Sequence, residues 1–181
     1  MRALACSLML LFGLVGSAGA AQFKLTSPDI KAGSKISDEF VFNGFGCTGK
    51  NVSPALAWSG APAGTKSFVL TVYDPDAPTG SGFWHWVMFN IPASTTGLAQ
   101  GQGVPGKEPQ GAVQSTTDFG APGFGGPCPP KGDKPHHYIF TLFALKTDKL
   151  DLPATATPAI VGFMTHFMMI GKASFTALYG R

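Results

Sequence analysis

Runs of apolar residues between glycines and prolines predict that this chain folds mainly into short β-strands. Three of the runs, residues 67–73, 85–91 and 138–145, are apolar at both alternating positions. Because successive side chains of a strand point to opposite faces, each run predicts a central strand that is covered on both sides. A weaker candidate, residues 35–42, is apolar mainly at even positions. With 24 glycines and 15 prolines, the chain is interrupted too often for a helical bundle, and an all-β sandwich or barrel is expected.

One helix is predicted near the C-terminus. Thr157 followed by Pro158 is typical of an N-cap and the first helical residue, and no further proline occurs in residues 159–178. We expect the apolar stripe of this helix to face the core rather than a ligand, and His166 to be a packing or surface residue. The stripe consists of Ile160, Phe163, Met164, Phe167, Met168 and Ile170.

Residues 97–135 are rich in glycine and proline, and they show no periodicity. A long segment without regular structure inside a compact domain is usually functional or disordered. We expect this one to be ordered in part, because Phe119, Phe124 and Cys128 can hold it in place.

The first 20 residues have the layout of a secretory signal peptide. Arg2 precedes a short apolar core at residues 8–15, and small residues follow at positions 18–20. The apolar run is shorter than the roughly 20 residues of a membrane-spanning helix, so an uncleaved anchor is the weaker interpretation. We predict cleavage near Ala20 or Ala21, a single domain over residues 21–181, and a periplasmic or secreted protein without a stable membrane anchor.

Composition narrows the classes of function. The formal net charge is +3, and loss of Arg2 with the signal peptide lowers it to +2. Lysines are scattered singly, without the basic stripe that nucleic-acid binding requires, so no nucleic-acid partner is expected. Cys47 and Cys128 remain after cleavage, and they either form a disulfide in an oxidising compartment or stay as buried thiols. A nucleophilic Cys128 is not favoured, because the prolines around it provide no helix N-terminus.

Polar residues cluster where the predicted strands begin or end. Asp74 and Asp76 follow the predicted strand at residues 67–73, and they either brace a turn or point into a cleft. His85 opens the predicted strand at residues 85–91, and it is either a core residue or a cleft residue. At the third strand, alternation places His136 and Tyr138 on one face and His137 on the other. The candidate site residues are Asp74, Asp76, His85, His136 and Tyr138.

This cluster is compatible with three kinds of chemistry. Two histidines with carboxylates could ligate zinc, although no closely spaced histidine pair supports a metal site. Histidine and aspartate could act as a general base, although no serine or cysteine stands in a recognisable nucleophile motif. Two imidazoles and a phenol could instead bind an anion, since a bound phosphate raises the pKa of an imidazole.

Several motifs resemble the phosphatidylethanolamine-binding protein family, in its bacterial branch labelled Raf-kinase-inhibitor-like. They are Asp-Pro-Asp-Ala-Pro at 74–78, Trp-His-Trp-Val at 84–87, Gly-Pro-Cys-Pro-Pro-Lys-Gly at 126–132, and His-His-Tyr at 136–138, together with residues 51–58 and 173–181. The resemblance implies a mainly β sandwich of antiparallel-dominated sheets with a C-terminal α-helix, few short helices and a small anion-binding pocket. Many relatives have arginine where this chain has His137. By this resemblance, the ligand-binding residues are Asp74, His85, His136, Tyr138, Asp76, Trp84, Gly126, Pro129 and Pro130.

The function expected from these residues is binding without turnover. The ligand would be a small anion of the phosphate or phosphoethanolamine type, and no cofactor is expected. A protein–protein modulator acting on a protease or a signalling factor through residues 97–135 is the alternative, and a hydrolase using Asp74 and His136 is a third possibility. Inhibition of a cytosolic kinase belongs to eukaryotic relatives and is not expected of an exported protein.

Overall fold

The computed structural model describes residues 22–181, so the predicted signal peptide lies outside the described residues. The described chain forms ten strands and one α-helix. It is thus mainly β with one helix near the C-terminus, as the apolar pattern predicts. In chain order the elements are β1 (Lys24–Thr26), β2 (Asn43–Gly44), β3 (Cys47–Thr48), β4 (Leu56–Ser59), β5 (Ser67–Asp74), β6 (Phe83–Pro92), β7 (Gly97–Leu98), β8 (Val113–Gln114), β9 (His136–Leu145), α1 (Pro158–Met168) and β10 (Met169–Tyr179).

The strands form a large sheet, a small sheet and a hairpin. The large sheet has five strands in the order β10-β9-β5-β6-β8, and the small one has the order β1-β4-β7. Neighbouring strands within them, including the β2–β3 hairpin, run antiparallel. The three runs predicted as central strands correspond to β5, β6 and β9, which lie in the middle of the large sheet.

Two apolar layers cover the large sheet, one on each face. Phe68 and Leu70 of β5 pack in one layer with Leu25 and Trp58 of the small sheet. The opposite layer contains β-strand residues such as Val69 together with Val161 of α1. This cover on both faces explains why the central strands carry apolar residues at both alternating positions, since side chains on either face can pack into an apolar layer.

The structure confirms the predicted start of the helix and corrects its extent. Thr157 is extended at the N-cap, and its hydroxyl accepts a hydrogen bond from the backbone N–H of Ile160. The helix ends at Met168, however, and the chain continues as β10 along the edge of the large sheet. Ile170, which we placed in the helical stripe, is therefore a strand residue.

The apolar stripe of the helix faces the core only in part. Met164 and Met168 pack against the core layer that contains Val161, as predicted. Phe163 and Phe167 are 57% and 55% exposed, and Ile160 is also exposed. The buried face consists of Pro158, Val161 and Thr165. Both faces of α1 carry apolar residues at helical spacing, so periodicity alone could not distinguish the face that packs on the sheet.

The weak strand candidate at residues 35–42 is also wrong. Lys35 makes an isolated bridge to Leu178, and the backbone N–H of Phe40 donates to the carbonyl of Ser37 in a turn. Its apolar residues, including Ile36 and Phe40, are buried beside the sheet without joining it. Their alternating pattern therefore reflects burial of an irregular segment rather than a strand.

Residues 97–135 contain only the short strands β7 and β8, but contacts hold the segment in place. Phe124 packs edge-on against Trp86 with ring centroids 5.5 Å apart. Cys128 forms a disulfide with Cys47. The aromatic and cysteine contacts that we expected to order this segment are thus present. No helix within residues 22–181 is long and apolar enough to cross a membrane.

Candidate functional site

The antiparallel register of the large sheet brings the predicted polar residues together. The C-terminal end of β5 lies beside the first residues of both β6 and β9, with Asp74 opposite Phe83 and Tyr73 opposite Ile139. Residues that are more than 60 positions apart in the chain therefore meet at one end of the sheet. A cavity of about 130 Å³ opens at this point.

The cavity has aromatic and proline walls around a few polar groups. Four of the predicted residues, Asp74, His85, His136 and Tyr138, line it, as do the predicted wall residues Pro129 and Pro130. The remaining lining residues are Phe45, Ala77, Pro78, Thr79, Phe83, Phe119 and Cys128.

Asp74 and His136 form a buried pair at the cavity. The Asp74 Oδ2 atom lies 2.7 Å from Nδ1 of His136, and both side chains are almost fully buried. The other carboxylate oxygen, Oδ1, accepts the backbone N–H of Asp76 at 2.9 Å. These two contacts fix the carboxylate, so Nδ1 of His136 carries its proton toward Asp74 and Nε2 is the nitrogen that can meet a ligand.

His85 is oriented by the backbone of the 97–135 segment. Its Nδ1 atom lies 2.8 Å from the carbonyl oxygen of Gly125, so Nδ1 is the protonated nitrogen in the neutral ring. The ring packs edge-on against Tyr138 and Phe119 at centroid distances of 5.1 and 5.5 Å. Burial lowers the pKa of His85, and the carbonyl of Gly125 and the charge of Asp74 offset this only in part. His85 is therefore held neutral, with the Nε2 lone pair available.

Tyr138 supplies a phenol that lies near the Asp74 carboxylate but makes no hydrogen bond of normal geometry within the described chain. The residue is 1% exposed, and its hydroxyl makes no hydrogen bond to any atom of residues 22–181. Burial and the negative charge of Asp74 raise its pKa, so the hydroxyl keeps its proton and can act as a donor. A buried hydroxyl of this kind costs free energy unless a bound molecule pairs with it.

Two long-range ties hold the rim of the cavity. The Cys47–Cys128 disulfide joins the β2–β3 hairpin to the segment that continues into Pro129 and Pro130. Arg181 adds three hydrogen bonds from its guanidinium, to the carbonyl oxygens of Pro129, Gly46 and Phe45. The hairpin turn places Phe45, which is 69% exposed, at the mouth of the cavity.

Three residues in the predicted ligand-binding set do not line the cavity. Trp84 points to the opposite face of β6 from His85, where its ring packs against Tyr73 at 4.4 Å. Asp76 lies on the outer surface, where its Oδ2 accepts the backbone N–H of His137 at 2.7 Å and contacts Nδ1 of that residue at 2.8 Å. The backbone N–H of His137 also lowers the pKa of Asp76.

Gly126, the third of these residues, lies behind the cavity wall. Its backbone N–H donates to Oδ1 of Asn51 at 2.7 Å. A Cβ at this position would collide with the backbone carbonyl of Phe40, so the close approach of two chain segments requires glycine here. Gly126 therefore shapes the wall without contacting the cavity.

Sequence reasoning missed the aromatic rim and one acidic neighbour. Phe45 and Phe119 line the cavity from loops, and nothing in their spacing indicates this. Asp133, in the turn before β9, places Oδ2 at 3.6 Å from Nε2 of His136. The neighbouring Gly132 in the sequence predicts a turn, but its position against His136 depends on the folded chain.

The zinc alternative has no support in the geometry. Among residues 22–181, no group of three or more His, Cys, Asp or Glu side chains is arranged to hold a metal ion. The two cavity histidines each use Nδ1 on a protein oxygen, at Asp74 and at Gly125, and keep Nε2 free, but among the described residues no set of three ligands converges there.

Comparison with known proteins agrees with the fold and the motifs. Residues 26–180 match the family model described as phosphatidylethanolamine-binding protein. The chain belongs to the phosphatidylethanolamine-binding protein family. It is 52% identical over 181 residues to the UPF0098 protein YbcL of Escherichia coli, covering 99% of this chain and 98% of that protein. It is also 52% identical over 157 residues to YbhB of the same organism, covering 86% of this chain and 99% of that protein.

The family is also evident in three dimensions. The crystal structure of Escherichia coli YbcL, described as a new member of the mammalian PEBP family, matches with a TM-score of 0.87 and 53% identity. The match covers 89% of this chain and 99% of that chain. The family and the mainly β fold predicted from the motifs are thus confirmed, with the difference that β10 follows the helix.

Proposed function

We propose that this chain binds a small anionic ligand of the phosphate or phosphoethanolamine type in the cavity at the end of β5, without converting it. The observation that carries the proposal is the convergence of His85, His136 and Tyr138 on one cavity, where the Tyr138 hydroxyl makes no hydrogen bond of normal geometry to residues 22–181. Each of these side chains can donate a hydrogen bond to an oxyanion once the imidazoles are protonated.

The hydrogen-bond directions at the two histidines imply that an anion binds together with proton uptake by the imidazoles. His136 uses Nδ1 on Asp74 and His85 uses Nδ1 on Gly125, so both rings offer Nε2 to the ligand. A neutral ring with this tautomer can only accept at Nε2, whereas an imidazolium donates there. Binding of an oxyanion therefore goes together with protonation of the imidazoles, because a nearby negative charge favours their charged form.

The size of the cavity favours a headgroup over a whole lipid. About 130 Å³ is below the roughly 300–1,000 Å³ of pockets that hold drug-sized ligands. Phosphate or a phosphoryl headgroup is of the right size, while acyl chains would have to remain outside, beyond Phe45 at the mouth. One ligand chemistry, the phosphoryl group, can thus come from a free metabolite or from a lipid.

The alternative functions require features that the cavity supports less well. A hydrolase would need a nucleophile or an activated water beside the Asp74–His136 pair. Of the hydroxyl and thiol residues of the wall, Thr79 donates its hydroxyl to the carbonyl of Gly82, Cys128 is in a disulfide, and Tyr138 keeps its proton because its pKa is raised. A protein modulator acting through residues 97–135 remains a prediction, and substitution of the cavity residues separates it from ligand binding.

We further propose that the protein works outside the cytoplasm. The signal-peptide layout of residues 1–20 supports export. The Cys47–Cys128 disulfide supports it independently, because such bridges persist in the periplasm and in secreted proteins and are rare in the cytosol. The N-terminal sequence of the protein recovered from the periplasm or the medium tests cleavage near Ala20 or Ala21.

Calorimetric titration near pH 6.5 tests the binding proposal. The mature protein is titrated with phosphate and with O-phosphorylethanolamine, beside His85→Ala/His136→Ala and Tyr138→Phe variants. We expect binding by the wild type, loss of binding in the double variant, and a decrease of about tenfold in Tyr138→Phe, since one hydrogen bond to a charged group is worth roughly 1.5 kcal/mol. Tyr138→Phe removes only a hydroxyl that makes no protein hydrogen bond, so the fold is expected to remain intact.

Changing His166, which lies in α1, to Ala provides the matched control. This histidine is exposed and does not line the cavity, so the variant should bind like the wild type. Equal binding by the wild type and the folded double variant would refute the proposal. Turnover of a phosphate ester that disappears in the double variant would replace it with the hydrolase alternative.

A further inference from the structure

The cavity that we propose as an anion site has few sources of positive charge. Within residues 22–181, its ionisable lining residues are Asp74, His85, His136 and Tyr138, and no lysine or arginine lines it. Arg181, which lies close to the rim, directs its guanidinium to three backbone carbonyls. Positive charge inside the cavity therefore comes from the two imidazoles, and Asp74 compensates one of them.

A second carboxylate acts on the same histidine from outside. Asp133 lies in the turn that leads to β9, where its backbone N–H donates to the carbonyl of Pro130. Its Oδ2 atom is 3.6 Å from Nε2 of His136, and its side chain is 45% exposed while that of His136 is 5% exposed. This distance is too long for a hydrogen bond, so Nε2 remains able to donate to a ligand but stays within the field of the carboxylate.

His136 thus lies between two carboxylates, Asp74 at Nδ1 inside the cavity and Asp133 at Nε2 in the adjoining surface depression, which Asp76, Lys134 and His137 also line. A ligand that accepts from Nε2 comes within a few ångströms of Asp133. Each negative charge on the ligand is repelled by that carboxylate, so a ligand with two negative charges is disfavoured twice. We infer that Asp133 makes this cavity select monoanionic groups, such as phosphodiesters, over dianionic groups, such as phosphomonoesters. The inference rests on the proposed function, because it concerns the ligand of the same cavity.

Coulomb's law gives the size of the effect. Two unit charges about 4 Å apart in a largely aqueous environment interact strongly enough to change a binding constant about fivefold. Asp133 is then expected to weaken a monoanion about fivefold and a dianion about 25-fold, which is a discrimination of about fivefold between them. Partial exposure of Asp133 makes the aqueous value the appropriate one, because water screens its carboxylate.

Two methyl esters of phosphate test this inference. Dimethyl phosphate carries one negative charge throughout the pH range, whereas methyl phosphate changes from one charge to nearly two above its second pKa of about 6. Wild type and Asp133→Asn are titrated with both esters at pH 5.0 and pH 7.2 by NMR, following the chemical shifts of backbone amides at the cavity. At pH 7.2 we expect Asp133→Asn to shift the relative affinity about fivefold toward methyl phosphate. At pH 5.0 both esters are monoanions, and the substitution should leave their relative affinity nearly unchanged.

An equal change of charge far from the cavity provides the control. Asp148 follows the other end of β9, about 30 Å along the strand from His136. It is highly exposed and pairs with Lys66, so Asp148→Asn should leave the relative affinity as in the wild type. Binding of both esters with the same relative affinity in Asp133→Asn as in the wild type would overturn this inference alone. If the wild type binds neither ester, the proposed function fails as well.

Discussion

At the scale of single residues, burial decides how this site responds to pH. His85 is 4% exposed, and desolvation is the main cause of its lowered pKa. The charges of Asp74 and Asp118 raise the pKa of His85, but they offset the effect of burial only in part. The phenol of Tyr138, which packs against the ring, is neutral. The free protein therefore holds an uncharged imidazole at a point where an anionic ligand would favour an imidazolium.

The lowered pKa of His85 predicts that the free energy of unfolding decreases in acid. The unfolded chain protonates this imidazole near its ordinary pKa of about 6.5, while the folded chain resists protonation. The unfolded state therefore binds more protons as the pH falls below 6.5, and stability is highest above that value. Between pH 7.5 and 5.5 we expect the wild type to lose about 1 kcal/mol more stability than His85→Gln in urea unfolding.

A bound oxyanion should reverse this effect. Sulfate stays a dianion over this range, so its own charge does not change during the measurement. Saturating sulfate is expected to reduce the acid-dependent loss in the wild type but not in His85→Gln. Equal losses in both proteins without sulfate would show that another group causes the pH dependence.

At the scale of elements, the helix α1 separates a buried face from an exposed apolar one. Val161 is fully buried beneath the helix, while Phe163, two residues later, is 57% exposed and packs edge-on with Phe167 at 4.9 Å. The side chain with the larger apolar surface therefore contributes less to the core. Both residues belong to an apolar stretch without any charged residue from 152 to 171.

Substitution by alanine distinguishes the two faces of the helix. Val161→Ala removes two methyl groups from the core and should cost about 1.5–2 kcal/mol, which is a decrease of roughly 4–6 °C in Tm. Phe163→Ala should change stability by less than about 0.5 kcal/mol, because its ring gives up little buried area. Thermal unfolding of both variants checks this, and a large loss in Phe163→Ala would mean that a partner surface covers the exposed face.

The elements also show where sequence reasoning succeeds. The strands β5, β6 and β9 were predictable because β5 and β6 are buried on both faces and β9 is buried on one face and partly covered on the other, which leaves mostly apolar runs. The end of α1 was not, because the chain from Met168 to Met169 changes from helix to strand without a proline or glycine at the junction. Strand pairing of β10 with β9 determines this boundary, and such a long-range contact leaves no local signal.

The candidate site likewise contains some residues that the sequence predicts and others that it does not. Asp74, His85, His136 and Tyr138 could be found from the sequence because they are polar residues at the ends of apolar strands. Their alternation along a strand also separated His136 from His137 correctly. Phe45 and Asp133 could not be found, because loops carry them and distant contacts place those loops.

At the scale of the whole molecule, the site depends on links between segments that are remote in the chain. The sheet register joins β5 to β6 and β9 and supplies the polar floor of the cavity. The rim is built from the β2–β3 hairpin and from Pro129 and Pro130, which the Cys47–Cys128 disulfide and Arg181 hold together. The floor therefore belongs to the rigid core, whereas the rim depends on a covalent cross-link.

Removal of the disulfide is expected to affect stability and binding separately. The bridge closes a loop of 81 residues, for which the chain-entropy model gives at most about 4.5 kcal/mol, and about 2–4 kcal/mol is typical. Cys47→Ser/Cys128→Ser should therefore unfold at lower urea concentration, and the wild type treated with dithiothreitol should behave like it. At a temperature where both proteins are fully folded, we also expect weaker binding of O-phosphorylethanolamine in the variant, because its rim is no longer tied to the hairpin. Unchanged affinity in the folded variant would show that the floor residues alone bind the ligand and that Arg181 is sufficient to hold the rim.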